Sequence, residues 1–165
     1  MRGRWMWLAV ALGALAAVTL GIYGCARVVD RSIEQAMIPD IEASTSPALL
    51  AEATEYGGWI LPANSKVLLV ERKDDRDRRY RIAVELSPAD LVWMLEQSRF
   101  PATFAKEYPP FLQQPIAGPS LESSPNVVRA QEWFTSPTGT VMMRDITVDE
   151  RDANTRIVHI DFRGV

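Results

Sequence analysis

Apolar residues run unbroken by charge from Trp5 to Tyr23, and only beyond that stretch do apolar and polar positions alternate. As a helix rising ~1.5 Å per residue the stretch would span ~28 Å, close to the ~30 Å hydrocarbon core of a bilayer. Trp5, Trp7 and Tyr23 stand at its ends, where amphipathic rings favour the membrane interface. Val29, Ile33, Ala36 and Met37 then recur at helical spacing as far as Pro39, so residues 26–45 read as a juxtamembrane stalk.

Residues 46–165 carry the pattern of one α+β domain. Ser46-Pro47 opens a short helix: serine caps it, and proline at the first helical position lacks an N–H that would be unpaired there anyway. Leu49, Leu50 and Ala53 form its apolar side, and Gly57-Gly58 ends it. Trp59 then leads toward a sheet as a core or edge-covering aromatic. Lys66–Arg72 and Arg79–Leu86 flank a charged turn, Asp74-Asp75-Arg76-Asp77, and predict a hairpin. In its second arm Tyr80, Ile82, Val84 and Leu86 alternate with Arg79, Arg81 and Glu85, the mark of one packed face and one wet face.

Ser87-Pro88-Ala89-Asp90 starts a helix running to about Gln97, with Leu91, Met94 and Leu95 on one side and Trp93 pointing elsewhere. Pro101, Pro109, Pro110, Pro115 and Pro119 exclude a long helix or central strand from the segment they punctuate. Its Phe104, Tyr108, Phe111 and Leu112 argue that it packs on the domain. Ser124-Pro125 repeats the helix-start signal and predicts a third helix over 125–133, followed by a turn at Ser136-Pro137-Thr138-Gly139. Thr140–Asp149 and Thr155–Arg163 predict a second hairpin. Met142, Ile146 and Val148 mark one inner face and Val158, Ile160 and Phe162 the other, so partners across it should have an even sum. The expected fold is therefore a membrane helix followed by a four-stranded antiparallel sheet, built of two hairpins, with two or three short helices on one face.

Arg2 and Arg4 precede the apolar stretch, and the chain's single cysteine, Cys25, follows it. The stretch is longer than the ~7–15 residues of a cleavable signal, which favours an uncleaved anchor. Ile22-Tyr23-Gly24-Cys25 resembles the lipobox of bacterial lipoproteins, with Tyr23 in place of the usual small residue. That resemblance implies an alternative in which Cys25 is acylated and the segment before it removed; an ordinary cleaved signal is the third reading. Arg27 and Arg31 nearly balance the basic residues at the other end, but a short tail before a first helix favours an inside amino terminus. The expected location is the cell membrane, single-pass or lipid-anchored, with the domain extracytoplasmic.

The net charge of −3 implies no strongly basic face, which argues against nucleic acid as a partner. Without Cys25 the domain holds no cysteine, so burial alone must hold it together. Of 18 basic residues only Lys66, Lys73 and Lys106 are lysines, a bias typical of GC-rich bacterial genomes.

Candidate chemistry is sparse. No phosphate loop, nucleophile elbow or dinucleotide fingerprint is present, and no cofactor is implied. Asp145, His159 and Asp161 come nearest to a site, since alternation places all three on the outer face of the second hairpin. A pairing sum of 304 would set Asp145 opposite His159, and 306 would set it opposite Asp161. Either could hold a metal or an acid–base pair, against the plainer reading of a solvated polar face. Trp59, Trp93 and Trp133 suit a binding surface less well than a core. Phe104, Tyr108, Phe111 and Trp93 are the interaction candidates, suited to docking a protein or peptide. The expected function is a non-enzymatic binding or assembly domain of the cell envelope, with membrane lipid and another envelope protein as partners. The alternative is a carboxylate- and histidine-dependent, metal-assisted hydrolase using Asp145, His159 and Asp161.

Overall fold

The computed structural model describes residues 40–74, 77–101, 103–108 and 114–164. The apolar Trp5–Tyr23 segment, Cys25 and Phe111 lie outside them, and no helix within them is long and apolar enough to cross a membrane.

One antiparallel sheet of seven strands dominates: β1 Asp40–Ser44, β2 Lys66–Asp74, β3 Arg78–Leu86, β4 Ala105–Lys106, β5 Val127–Thr135, β6 Val141–Asp149 and β7 Arg156–Gly164. Their order across the sheet is β1-β2-β3-β7-β6-β5-β4. Helices α1 Pro47–Gly57 and α2 Pro88–Gln97 pack on one face. The β2–β3 and β6–β7 hairpins stand where alternation placed them, and β3 joins β7 between them. Pairs across β6–β7 sum to 306, as in Asp145↔Asp161 and Ile146↔Ile160.

The expectation of four strands and a third helix is corrected by three further strands. Residues of the expected third helix form β5, paired along its whole length with β6. Ser124 does not start a helix: it closes the 3-10 turn Leu121–Ser123, and its Oγ accepts from the Asn126 N–H (3.3 Å) and lies 2.6 Å from Asp149 Oδ1, which ties the entry of β5 to the end of β6. The Ser136–Thr140 turn, with Gly139 at φ 86°, then closes a β5–β6 hairpin. The other two additions are short edges: β1, from within the expected stalk, pairs with β2, and β4 pairs with Val128 and Arg129 of β5.

Capping fixes the helices as expected. Ser46 Oγ accepts from the Leu49 N–H and Ser87 Oγ from the Asp90 N–H. Gly58 adopts the left-handed conformation at the end of α1. Leu49, Ala53 and Met94 enter one core with Val70, Tyr80, Ile82, Val84, Ile146, Val148, Val158, Ile160 and Phe162. Leu91 and Leu95 pack against it, and Trp59 is buried in it, stacked edge-on to Phe100.

An arginine shares this inner face. Arg144 lies between Met142 and Ile146 in the inward register of β6 and is 1 % exposed. Its Nε donates to Glu132 on β5 at 2.7 Å. Its Nη atoms donate to the carbonyls of Gly57 and Gly58 at the end of α1 and of Ser98 and Arg99 at the end of α2. Phe134, Trp59 and Phe100 surround the guanidinium, with Phe134 closest at 3.9 Å from the ring centroid. Burial lowers its pKa, and Glu132 opposes that shift.

The two glycines at the end of α1 let it approach this closely. A Cβ on Gly57 would run into the ring of Phe162, and one on Gly58 would lie 2.7 Å from Phe134. Gly57→Ala should therefore destabilise the domain by about 1–3 kcal/mol in urea titrations, since overpacking displaces either the helix end or Phe162. Alanine at Gly139, where a Cβ meets nothing, tests the strain of a positive φ alone and should cost about 1 kcal/mol.

Candidate functional site

The outer face of the sheet carries the residues that the sequence singled out. Asp145 pairs with Asp161 across β6–β7, while His159 stands opposite Thr147 on one side and Ala83 on the other. The face was expected to be wet. Instead Asp145 and Asp161 are nearly shut off from solvent, at 3 % and 4 % exposure, and Ala83 and Asp149 are fully buried. The cause is the segment Gln114–Ser124, which crosses this face as a strap. Ile116 and Leu121 help enclose a cavity beside His159, and Gly118 lies close to Ile157 and Leu68.

Each carboxylate here is held by arginine. Arg129 Nε donates to Asp145 at 2.9 Å, and Arg79 Nε to Asp161 at 2.8 Å, with Arg163 adding a second donor at 3.1 Å. These bonds to carboxylate raise the pKa of Arg79 and Arg129. Arg81 lies 3.6 Å from Glu71 and donates to the carbonyl of Gln114 in the strap. His159 differs from its neighbours: both ring nitrogens are buried and find no hydrogen-bond partner among the described residues. Burial first, and then the positive charge of Arg81, hold its pKa at about 4. Among the described residues no three His, Cys, Asp or Glu side chains converge into a set that could hold a metal ion.

An open cleft of about 380 Å³ lies on the other side, between α1 and the β5–β6 turn. Glu52, Glu55, Tyr56, Arg78, Thr138 and Thr140 line it. Tyr80, fully buried in the sheet, donates its hydroxyl to Glu52 Oε1 at 2.6 Å, and Arg72 holds the same carboxylate at 3.2 Å. The Tyr80 bond leads in holding the Glu52 carboxyl below its ordinary value of 4.5. Desolvation raises the Tyr80 pKa, and the bond to Glu52 raises it further. Neither residue stands out in the sequence, because the bond joins α1 to β3 across the packing interface.

The structure scatters the interaction candidates. Phe104 packs against the core beside Phe100, with ring centroids 6.4 Å apart. Tyr108 is exposed, with Lys106 Nζ 5.4 Å from its ring centroid. Trp93 is exposed on α2, whereas Trp133, the most open large apolar residue among the described residues at 63 %, stands on the outer face of β5. Comparison of the chain with known protein families, curated proteins and solved structures finds no match.

Tyr80→Phe keeps the buried ring and removes the bond to Glu52. It should cost about 1 kcal/mol at pH 7. Because Glu52 is lowered in the folded state, its contribution is present above pH 4.5 and is lost as pH falls through the lowered value. Urea titrations from pH 7 to pH 3 should show the gap between parent and variant shrinking toward acid.

Proposed function

We propose that the protein is a membrane-tethered, extracytoplasmic binding domain of the bacterial cell envelope, one that works by docking rather than by catalysis. The observation that carries the reading is the charge-free stretch Trp5–Tyr23, long enough to span a bilayer ahead of a folded domain. The arrangement of the polar groups supports it. The carboxylates of the hydrolase alternative, Asp145 and Asp161, are engaged by Arg129, Arg79 and Arg163. The exposed aromatics Trp93, Tyr108 and Trp133, together with the cleft beside Glu52 and Tyr56, are the surfaces suited to a partner.

The test is the intact mass of the protein extracted from membranes, beside a Cys25→Ala control. Loss of residues 1–24 with added lipid, absent from the control, assigns a lipid anchor. The full-length mass in both assigns a single spanning helix. Recovery of the protein in the soluble fraction without lipid would sink the tether.

A further inference from the structure

We propose that the strap Gln114–Ser124 is an acid-opened cover: protonation of His159 beneath it releases the strap from the outer face of the sheet. Independently of the tether, His159 is only partly exposed, and both of its ring nitrogens are shut off from solvent and from hydrogen-bond partners among the described residues. On β3 its neighbour is Ala83, whose methyl leaves space beside the imidazole, and on β6 it is Thr147. The strap roofs that space with Gln114, Pro115, Ile116 and Leu121, leaving a cavity of about 10 Å³. That is room for roughly one water molecule, which a neutral imidazole with both nitrogens unpaired can share.

An imidazolium brings a charge and two donors into the same space. The groups that face it are already committed. On β3 stand Arg79 and Arg81, on β5 Arg129, and in the β6–β7 turn Arg151, all cationic. Of the carboxylates, Glu71 on β2 pairs with Arg81 and Asp145 on β6 with Arg129. Asp149 on β6 pairs with Arg151, and Asp161 on β7 with Arg79 and Arg163. The strap's own titratable residue, Glu122, is exposed. Glu85, outward on β3 two positions from Ala83, bridges to Lys66 at 3.4 Å. Asp149 does attract a charged ring, but burial and Arg81 outweigh it. Every neighbouring carboxylate among the described residues thus already has a cationic partner, and water is the better solvent for a charged His159.

Lifting the strap supplies that water. Among the described residues its polar attachments are Arg81 to the Gln114 carbonyl at one end and, at the other, Arg151 to the Ser120 carbonyl (2.8 Å) and Ser123 Oγ (3.4 Å); Ser124 Oγ, bonded to Asp149 Oδ1 (2.6 Å), is the hinge at which the strap joins β5. Between them the buried Leu121 is the main apolar anchor. The folded pKa of about 4, against an ordinary 6.5, agrees with a closed state that excludes the charged ring. A histidine depressed in this way leaves the closed state at full stability above pH 6.5. That stability is lost progressively as pH falls toward 4. With the open imidazole titrating normally, the opening equilibrium rises on the order of 100-fold between pH 7 and pH 4.

The experiment labels a cysteine introduced at the buried strap position, Leu121→Cys, in the full chain carrying Cys25→Ala, with 4,4′-dithiodipyridine, which reacts at acid pH. The rate is divided by that of Glu122→Cys, an exposed neighbour, to remove the chemistry of the thiol. The ratio should rise on the order of 100-fold from pH 7 to pH 4 and stay nearly flat when His159→Gln is added. A ratio that stays flat with His159 present, or one that rises equally in the His159→Gln variant, overturns the proposal. Should that variant fail to fold, the proton resonances of His159 in the parent chain decide. A midpoint well below 6 supports the cover, and one near 6.5 overturns it.

Discussion

One buried cation, Arg144, sits where the sheet meets the ends of both helices, and the domain is arranged around keeping it partnered. An unpaired charge in a protein interior is among the costliest features a fold can carry. Arg144 avoids that cost with one carboxylate, Glu132, and four carbonyls from the ends of α1 and α2. Those carbonyls present a matching difficulty, since the last turns of a helix leave acceptors without intrahelical donors and gather partial negative charge. Each problem resolves the other. The Ile60 N–H donates to Ser98 Oγ at 3.0 Å and ties the two helix exits directly, so the ends of α1 and α2 and the middle of β6 are fixed together.

The constraint reaches outward in sequence. Glu132 occupies an inward position of β5 because Arg144 faces it, and Gly57 and Gly58 lack side chains where Phe162 and Phe134 close in. Arg99 holds a left-handed backbone, φ 49°, at the end of α2, and its carbonyl is one of those that Arg144 engages. On the opposite face the logic is distributed: several arginines share out the carboxylates, and on that face the ring nitrogens of His159 are left without a partner among the described residues.

How far the sequence discloses this depends on whether a signal is local. The Ser-Pro starts of α1 and α2 and the alternation in β3 and β7 are local, and they place those elements correctly. The same Ser-Pro signal at Ser124 misleads, because Glu132 on an inward position breaks the alternation that would reveal β5. Its reason for being there is Arg144, twelve residues away along the chain. Arg144 itself is visible only through parity: it shares the register of Met142, Ile146 and Val148, and the expectation that arginine faces water conceals it. β1 and β4 exist through the backbones they pair with rather than through their own patterns. The outer-face cluster was legible as a grouping of Asp145, His159 and Asp161. Its burial was not, because that depends on a Pro-rich segment whose path no periodicity announces.

Arg144 holds the helix ends to the sheet. Equilibrium urea unfolding of Arg144→Met tests this most directly, since methionine can fill much of the space while abandoning Glu132 and the four carbonyls. The variant should lose about 3–5 kcal/mol relative to the parent. A loss within about 1 kcal/mol, or a gain, would mean that apolar packing alone positions the two helices and that the buried cation is incidental.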